Sequence, residues 1–210
     1  MKVVILAGGL GTRLSEETKF IPKPMARIGD FPIIWHIMKY YSHFNLNDFI
    51  ICLGYKGNKI KDFFLNYSNY MSDIKINTKL TSMEIINHRT ENWNIELIET
   101  GLETMTGGRL KKIQHLLDDE DFLMTYGDGL SNVDINELIK FHKYNKKLAT
   151  ITSVPAPSRF GSLKINNNLV ESFKEKPIGK NDRINGGYFV LSPKVMDYIN
   201  NDKTIWERDP

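Results

Sequence analysis

The chain has 210 residues, of which 41% are hydrophobic, so it is long enough for one domain with a real core and short for two. Its 28 lysines and arginines nearly balance its 25 aspartates and glutamates and are dispersed, which argues against a nucleic-acid partner. It contains no apolar run of about 18 residues and no secretory signal pattern, which predicts one cytoplasmic domain over residues 1–210 with no membrane contact.

The first 71 residues alternate between apolar and amphipathic stretches. Residues 2–8 and 48–55 are short and almost wholly apolar, as buried strands are. Residues 32–44 and 57–71 repeat apolar side chains at helical spacing. This βαβα order predicts a parallel sheet covered by helices.

The same alternation continues through most of the chain. Asp134 stands directly before an amphipathic stretch, where its side chain is expected to cap the first N–H groups of a helix. The predicted elements are the stretch NIELIET at 94–100, a helix over about 108–117, a strand within 121–129, a helix over about 134–145 and a strand within 148–154.

Two regions depart from this pattern. After Pro155 the apolar pieces become shorter, and turn residues 166–168 between two of them predict a hairpin that carries part of a site. Residues 66–92 mix polar and charged side chains with scattered apolar ones, which predicts an excursion outside the core. Cys52 lies inside an apolar stretch and is expected to be a buried side chain, and the five histidines show no metal-ligand spacing.

A glycine-rich turn, LAGGLGTRL at residues 6–14, follows the first predicted strand. Three glycines in four positions allow a tight turn and let backbone amides approach phosphate oxygens. The carboxyl ends of strands are where α/β sheets bind ligands, and the guanidinium of Arg13 is suited to phosphate. The alternatives are a dinucleotide fingerprint or a P-loop, whose consensus residues are absent, and a turn without a ligand.

Lys23 lies between Pro22 and Pro24, so its ammonium extends from a stiffened segment. A lone lysine of this kind is usually a surface residue. Together with GGLGTRL, however, the KPM at residues 23–25 resembles the signature of sugar nucleotidyltransferases.

Longer stretches are similar to one family, glucose-1-phosphate cytidylyltransferase. They include LAGGLGTRLSEET, PIIWHIMKYYS, DFIICLGYKG, MTGGRLK, TYGDG, RFGSL, FKEKP and INGGYFVL, in the family's order. The resemblance implies a Rossmann-like α/β nucleotidyltransferase domain with a mixed, mostly parallel central sheet flanked by helices. It also implies a homo-oligomer and the substrates CTP and glucose 1-phosphate.

The resemblance also implies roles for individual residues. The nucleotide would be held by Leu6, Ala7, Gly8, Gly9, Gly11, Thr12 and Gly127, with Thr104 and Arg109 on the base. Catalysis would rest on Arg13, Lys23, Lys176 and Asp128, and the sugar phosphate would contact Gly161, Glu175, Asn185 and Gly186.

Asp128 lies between two glycines just past an apolar strand. Carboxylate and phosphate oxygens are the ligands that magnesium prefers, and the family places a Mg²⁺-binding aspartate here. The alternative is a turn aspartate bonded to its own backbone.

The expected reaction is attack of the sugar 1-phosphate on the α-phosphorus of CTP, giving CDP-glucose and pyrophosphate. Family members continue past the position of Pro210 and carry a second magnesium-binding aspartate there, which no residue of this chain matches. Three alternatives stay open: another base or sugar phosphate, nucleotide binding without turnover, and, more distantly, an oxidoreductase.

Overall fold

The computed structural model describes residues 1–10, 20–155 and 183–209, and the backbone of 162–166 and 169–174. Its strands are β1 Val3–Leu6, β2 Arg27–Ile28, β3 Phe31–Pro32, β4 Asp48–Leu53, β5 Asp73–Asn77, β6 Ser82–Asn87, β7 Asn94–Glu99, β8 Phe122–Tyr126, β9 Ala149–Pro155, β10 Ser162–Asn166, β11 Leu169–Lys174 and β12 Arg183–Leu191. Its α-helices are α1 Ile33–Ser42, α2 Gly57–Leu65, α3 Tyr67–Met71, α4 Thr106–Lys112 and α5 Ile135–Asn145. Short 3₁₀ helices span Lys23–Met25, Gln114–Leu116 and Pro193–Tyr198.

A six-stranded central sheet organises these elements in the order β7-β4-β1-β8-β12-β9. The first four strands of that order are mutually parallel. β12 runs antiparallel to both of its neighbours. The predicted α/β fold with a mixed, mostly parallel sheet is therefore confirmed.

Both faces of this sheet are covered, and β1 shows why its sequence is apolar throughout. Val3 and Ile5 point into a core cluster with α1, α2 and α5, whereas Val4 and Leu6 point into a second cluster with α4 and the 3₁₀ helix at Pro193–Tyr198. A strand buried on both faces needs an unbroken apolar run rather than alternation. Cys52 of β4 belongs to the second cluster, and burial raises the pKa of its thiol to about 12, so it is the buried side chain that was predicted.

α5 begins where the sequence predicts. The Asp134 side chain accepts a hydrogen bond from the Glu137 backbone N–H at 3.1 Å, which satisfies an otherwise unpaired donor of the first turn. Lys146 ends the helix in the left-handed conformation, with φ of 50°.

Two predicted helices differ from the observed ones. The stretch 57–71 forms two helices, α2 and α3, that meet at Asn66. The Asn66 side chain donates to the Asp62 carbonyl at 2.8 Å, a local bond that competes with continued helix. The helix predicted over about 108–117 starts earlier and stops at Lys112, after which the chain tightens into the 3₁₀ turn at Gln114–Leu116.

Within the described residues, three two-stranded antiparallel pairs lie outside the central sheet: β2–β3, β5–β6 and β10–β11. β10 and β11 pair antiparallel, as the turn at 166–168 predicts. β5 and β6 form a separate sheet on which Ile76 and Met83 are exposed, so this part of residues 66–92 is the expected excursion outside the core. Tyr67, by contrast, is buried and stacks on Trp93. Within the described ranges, no helix is long and apolar enough to cross a bilayer.

Candidate active site

A cleft of about 780 Å³ opens at the carboxyl ends of the parallel strands. β1, β4, β7 and β8 all end at this edge, and β12 begins there because it runs in the opposite direction. Ligand pockets of small-molecule enzymes commonly have this size and position. The cleft is therefore the candidate active site.

The sequence-predicted residues that lie within the described ranges converge on this cleft, with one exception. Those that line it are Leu6, Ala7, Gly8, Gly9, Lys23, Thr104, Arg109, Gly127, Asp128 and Asn185. Gly186 does not line it, and a Cβ there would come within 3.0 Å of the Thr152 carbonyl oxygen, so this glycine serves strand packing. Gly11, Thr12, Arg13, Gly161, Glu175 and Lys176 fall outside the described residues.

Arg109 fixes the floor of the cleft. Its side chain comes from α4 and is only 4% exposed. Nη2 donates to the Gly8 carbonyl at 2.9 Å, and Nη1 lies 2.9 Å from the Leu53 carbonyl oxygen and 2.8 Å from that of Gly101. One guanidinium thus links three segments of the chain by hydrogen bonds: the residues just past β1, the end of β4 and the residues just past β7.

The charge of Arg109 is stabilised by neutral oxygens in the described part of the chain. Burial lowers the pKa of the guanidinium, although an arginine stays protonated at working pH. Most of its N–H groups are directed to protein oxygens, so only the remaining ones could reach a base. The predicted base contact of Arg109 stays a prediction.

Lys23 and Asp128 form an ion pair on the surface of the cleft. Lys23 opens a 3₁₀ turn whose Pro24 is buried, and its Nζ lies 3.4 Å from Asp128 Oδ2. The Asp128 side chain remains 43% exposed. A cation and a carboxylate are therefore held in contact with each other beside the glycine turn, on the surface of the open cleft.

The donors around Asp128 suit a metal that is shared with a substrate. Among the described residues, no three His, Cys, Asp or Glu side chains are grouped as a metal site. Mg²⁺ commonly uses one or two carboxylates and fills its other positions with water and phosphate oxygens. A lone, half-exposed carboxylate beside an open cleft fits that mode of binding.

Nine further residues line the cleft without having been predicted as site residues from the sequence: Leu10, Pro24, Leu102, Glu103, Met105, Thr106, Tyr126, Ile184 and Glu207. Tyr126 donates to Glu207 Oε1 at 2.5 Å and accepts from Asn185 Nδ2 at 3.2 Å. Tyr126 could have been noticed because it directly precedes Gly127 and Asp128 at the end of a strand. No local pattern singles out Glu207.

Comparison with known proteins assigns this chain to a family. The profile of the nucleotidyl transferase family matches residues 2–210. The glucose-1-phosphate cytidylyltransferase of Salmonella typhimurium is 54% identical over 211 aligned positions, which cover all of this chain and 82% of the relative. The chain belongs to the nucleotidyl transferase family. It is thus an enzyme of this class, whose substrates are a nucleotide and a sugar phosphate and which generally uses a divalent metal.

Other relatives agree with this assignment. A probable glucose-1-phosphate cytidylyltransferase of Bacillus subtilis is 44% identical over the whole chain and 82% of its own length. The crystal structure of HddC from Yersinia pseudotuberculosis superposes with a TM-score of 0.71 at 28% identity, covering 99% of this chain and 84% of HddC. A second HddC structure, complexed with GMP-PN, matches equally well.

Proposed function

We propose that the chain transfers the cytidylyl group of CTP to glucose 1-phosphate, giving CDP-glucose and pyrophosphate, in deoxysugar or surface polysaccharide biosynthesis. The observation that carries the proposal is the pairing of Lys23 and Asp128 at 3.4 Å beside the glycine turn. The 54% identity to a glucose-1-phosphate cytidylyltransferase supports CTP and glucose 1-phosphate as the substrates.

In the proposed reaction an oxygen of the sugar phosphate attacks the α-phosphorus of CTP in line with the leaving group. A new P–O bond forms, the bond from the α-phosphorus to the bridging oxygen breaks, and pyrophosphate leaves with that electron pair. The nucleophile is already an anion, so no general base is needed. The enzyme must align two anions and neutralise their charge.

Different described residues that line the cleft align the two substrates and neutralise their charge. Gly8 and Gly9 line the triphosphate side at the end of β1, where Gly9 leaves the space open, and the Lys23 ammonium neutralises the triphosphate oxygens. Thr104 lies on the base side and Asn185 on the sugar side. Asp128 holds Mg²⁺, which when bound supplies positive charge to the phosphate oxygens.

Further site assignments rest on the family resemblance. Leu6, Ala7 and Gly127 join the nucleotide side, and Arg109 contacts the base through its remaining N–H groups. From outside the described residues, Gly11 and Thr12 join the nucleotide side, Arg13 and Lys176 add positive charge, and Gly161 and Glu175 join Asn185 on the sugar side.

The test is pyrophosphate release by the purified chain with glucose 1-phosphate, Mg²⁺ and one nucleotide at a time, CTP, UTP, dTTP or ATP. We expect turnover with CTP above the other nucleotides. Lys23→Ala should lower the rate by about 10²-fold or more, as loss of a charge-stabilising group does. Lys140→Ala is the matched control, because Lys140 pairs with Glu137 on α5 and does not line the cleft.

Each result bears on a different part of the proposal. Faster turnover with UTP or dTTP than with CTP would show that the preferred base is not cytosine. Near-wild-type turnover of Lys23→Ala would show that Lys23 has no catalytic role. CTP that raises the melting temperature without any pyrophosphate release would favour a nucleotide-binding protein without turnover.

We also propose that the chain works as a homo-oligomer in the cytoplasm. The exposed apolar side chains of the β5–β6 hairpin, Ile76 and Met83, support self-association. An oligomer that dissociates on unfolding has a melting temperature that rises with chain concentration, which can be measured directly.

A further inference from the structure

The 201–207 segment packs on the start of α4. The Asp202 carbonyl accepts the Met105 N–H at 2.8 Å, and the Thr204 carbonyl accepts the Gly107 N–H at 3.0 Å. These bonds occupy backbone donors that would otherwise be free at the first turn of the helix. The beginning of α4 is therefore held by protein groups.

The two glycines of α4 allow this close packing. A Cβ on Gly108 would lie 2.6 Å from the Asp202 carbonyl oxygen, and one on Gly107 would lie 2.9 Å from that of Thr204. Real Cβ atoms do not approach backbone that closely. The close packing of the 201–207 segment therefore explains why positions 107 and 108 are both glycine.

Glu207 lies at the end of this segment and bridges two walls of the cleft. Oε2 accepts a hydrogen bond from the Thr106 hydroxyl at 2.7 Å, and Oε1 accepts one from the Tyr126 hydroxyl at 2.5 Å. Thr106 is the first residue of α4, two positions after Thr104. Tyr126 ends β8, two positions before Asp128.

The bridge extends to the sugar side through Tyr126. Its hydroxyl oxygen accepts a hydrogen bond from Asn185 Nδ2 at 3.2 Å, which links β8 to the start of β12. Burial, together with the hydrogen bond to Glu207, raises the pKa of Tyr126. The hydroxyl therefore stays protonated and able to donate at any working pH.

We propose that Glu207 is a positioning residue that sets the distance between the nucleotide-binding wall and the sugar-phosphate-binding wall of the cleft. The role rests on the proposed function, because two ligands must meet across this gap. No other described side chain accepts hydrogen bonds from both Thr106 and Tyr126.

The geometry of the reaction explains why such a bridge matters. Attack in line with the leaving group needs the two substrates at near-contact distance, and a displacement of about 1 Å can cost about 10²-fold in rate. Truncation of Glu207 leaves the hydroxyls of Thr106 and Tyr126 without this acceptor, so each wall can relax independently.

The experiment compares Glu207→Ala and Glu207→Gln with the variants that remove one side of the bridge, Thr106→Val and Tyr126→Phe. Asp209→Ala is the matched control, because Asp209 accepts the Ile205 N–H at 2.6 Å in the same stretch and does not line the cleft. Calorimetric titration measures the affinities for nucleotide and sugar phosphate, and pyrophosphate release measures kcat and KM where the wild type turns over.

We expect Glu207→Ala to weaken both ligands and to lower kcat/KM by about 10- to 100-fold. Thr106→Val should weaken mainly the nucleotide, and Tyr126→Phe mainly the sugar phosphate. Glu207→Gln should recover most of the loss, because the amide can accept from Tyr126 and donate to the Thr106 hydroxyl. Asp209→Ala should leave both affinities unchanged.

The alternative outcomes separate this proposal from the proposed function. Wild-type affinities in Glu207→Ala, or equal losses in Glu207→Ala and Asp209→Ala, would overturn the positioning role alone. A wild type that binds no nucleotide would overturn the proposed function and the positioning role with it. A different preferred base or sugar leaves the comparison intact, because the titrations then use that ligand pair.

Discussion

Gly8 and Gly9 are neighbours in the glycine turn, but their surroundings differ. A Cβ on Gly8 would overlap Nη1 and Cζ of Arg109, whereas a Cβ on Gly9 would have no atom of the described residues within 4 Å. The Arg109 side chain is buried and bonded to carbonyls around it, so it cannot move aside without breaking those bonds. Gly8 is therefore required for packing, and Gly9 is free for a ligand.

This contrast predicts different stabilities for two alanine variants. Gly8→Ala should lower the free energy of unfolding by about 1 to 3 kcal/mol, as overpacking of a filled interior does. Gly9→Ala should change it by about 0.5 kcal/mol or less, as an open position does. Urea denaturation of both variants and the wild type measures the difference, and equal stabilities would contradict the packing role of Arg109.

The sequence predicted those site residues whose signals are local. Lys23 was predicted because KPM together with GGLGTRL resembles a family signature. Asp128 was predicted because glycines flank it just past a strand and the family places a Mg²⁺-binding aspartate there. The bond from Arg109 to Gly8 and the bond from Thr106 to Glu207 each join residues 101 positions apart. Such contacts depend on how the elements pack, so no spacing in the sequence could reveal them.

At the scale of elements, prediction succeeded where the apolar pattern was long and failed where local hydrogen bonds intervened. β1 and β4 were predicted because strands buried on both faces read as continuous apolar runs. The break between α2 and α3 was missed because the pattern of apolar side chains passes through Asn66 unchanged. The bond of its side chain to the Asp62 carbonyl decides the break.

The N-cap of α5 predicts a modest and specific change in stability. Asp134→Ala removes the acceptor for the Glu137 N–H and should lower the free energy of unfolding by about 1 kcal/mol. Asp134→Ser is the matched control, because a serine hydroxyl can cap the same donor. Chemical denaturation monitored by circular dichroism measures both, and equal losses in the two variants would show that the cap contributes nothing.

The arrangement of the whole molecule explains how distant residues reach one cleft. Parallel strands deliver Gly8 and Asp128 to the same edge because β1 and β8 point the same way. The reversed direction of β12 brings Asn185 to that edge from the opposite end of a strand. A mixed sheet can therefore place a nucleotide side and a sugar side beside each other.

The whole chain is also expected to unfold as one unit, in keeping with a single domain over residues 1–210. The two core clusters lie on opposite faces of one sheet and share β1, so neither can lose its packing while the other keeps it. Trp93 packs against the first cluster and Trp206 against the second, which provides a fluorescent probe on each face.

The measurement is thermal unfolding of two variants, each with one tryptophan. The variant Trp35→Phe with Trp206→Phe reports on the first cluster through Trp93, and the variant Trp35→Phe with Trp93→Phe reports on the second through Trp206. For each variant, the transition seen by fluorescence should coincide with the transition seen by circular dichroism, because a two-state unit loses all its structure together. A fluorescence transition that precedes loss of the circular dichroism signal would show that one face unfolds separately and that the chain is not one cooperative domain.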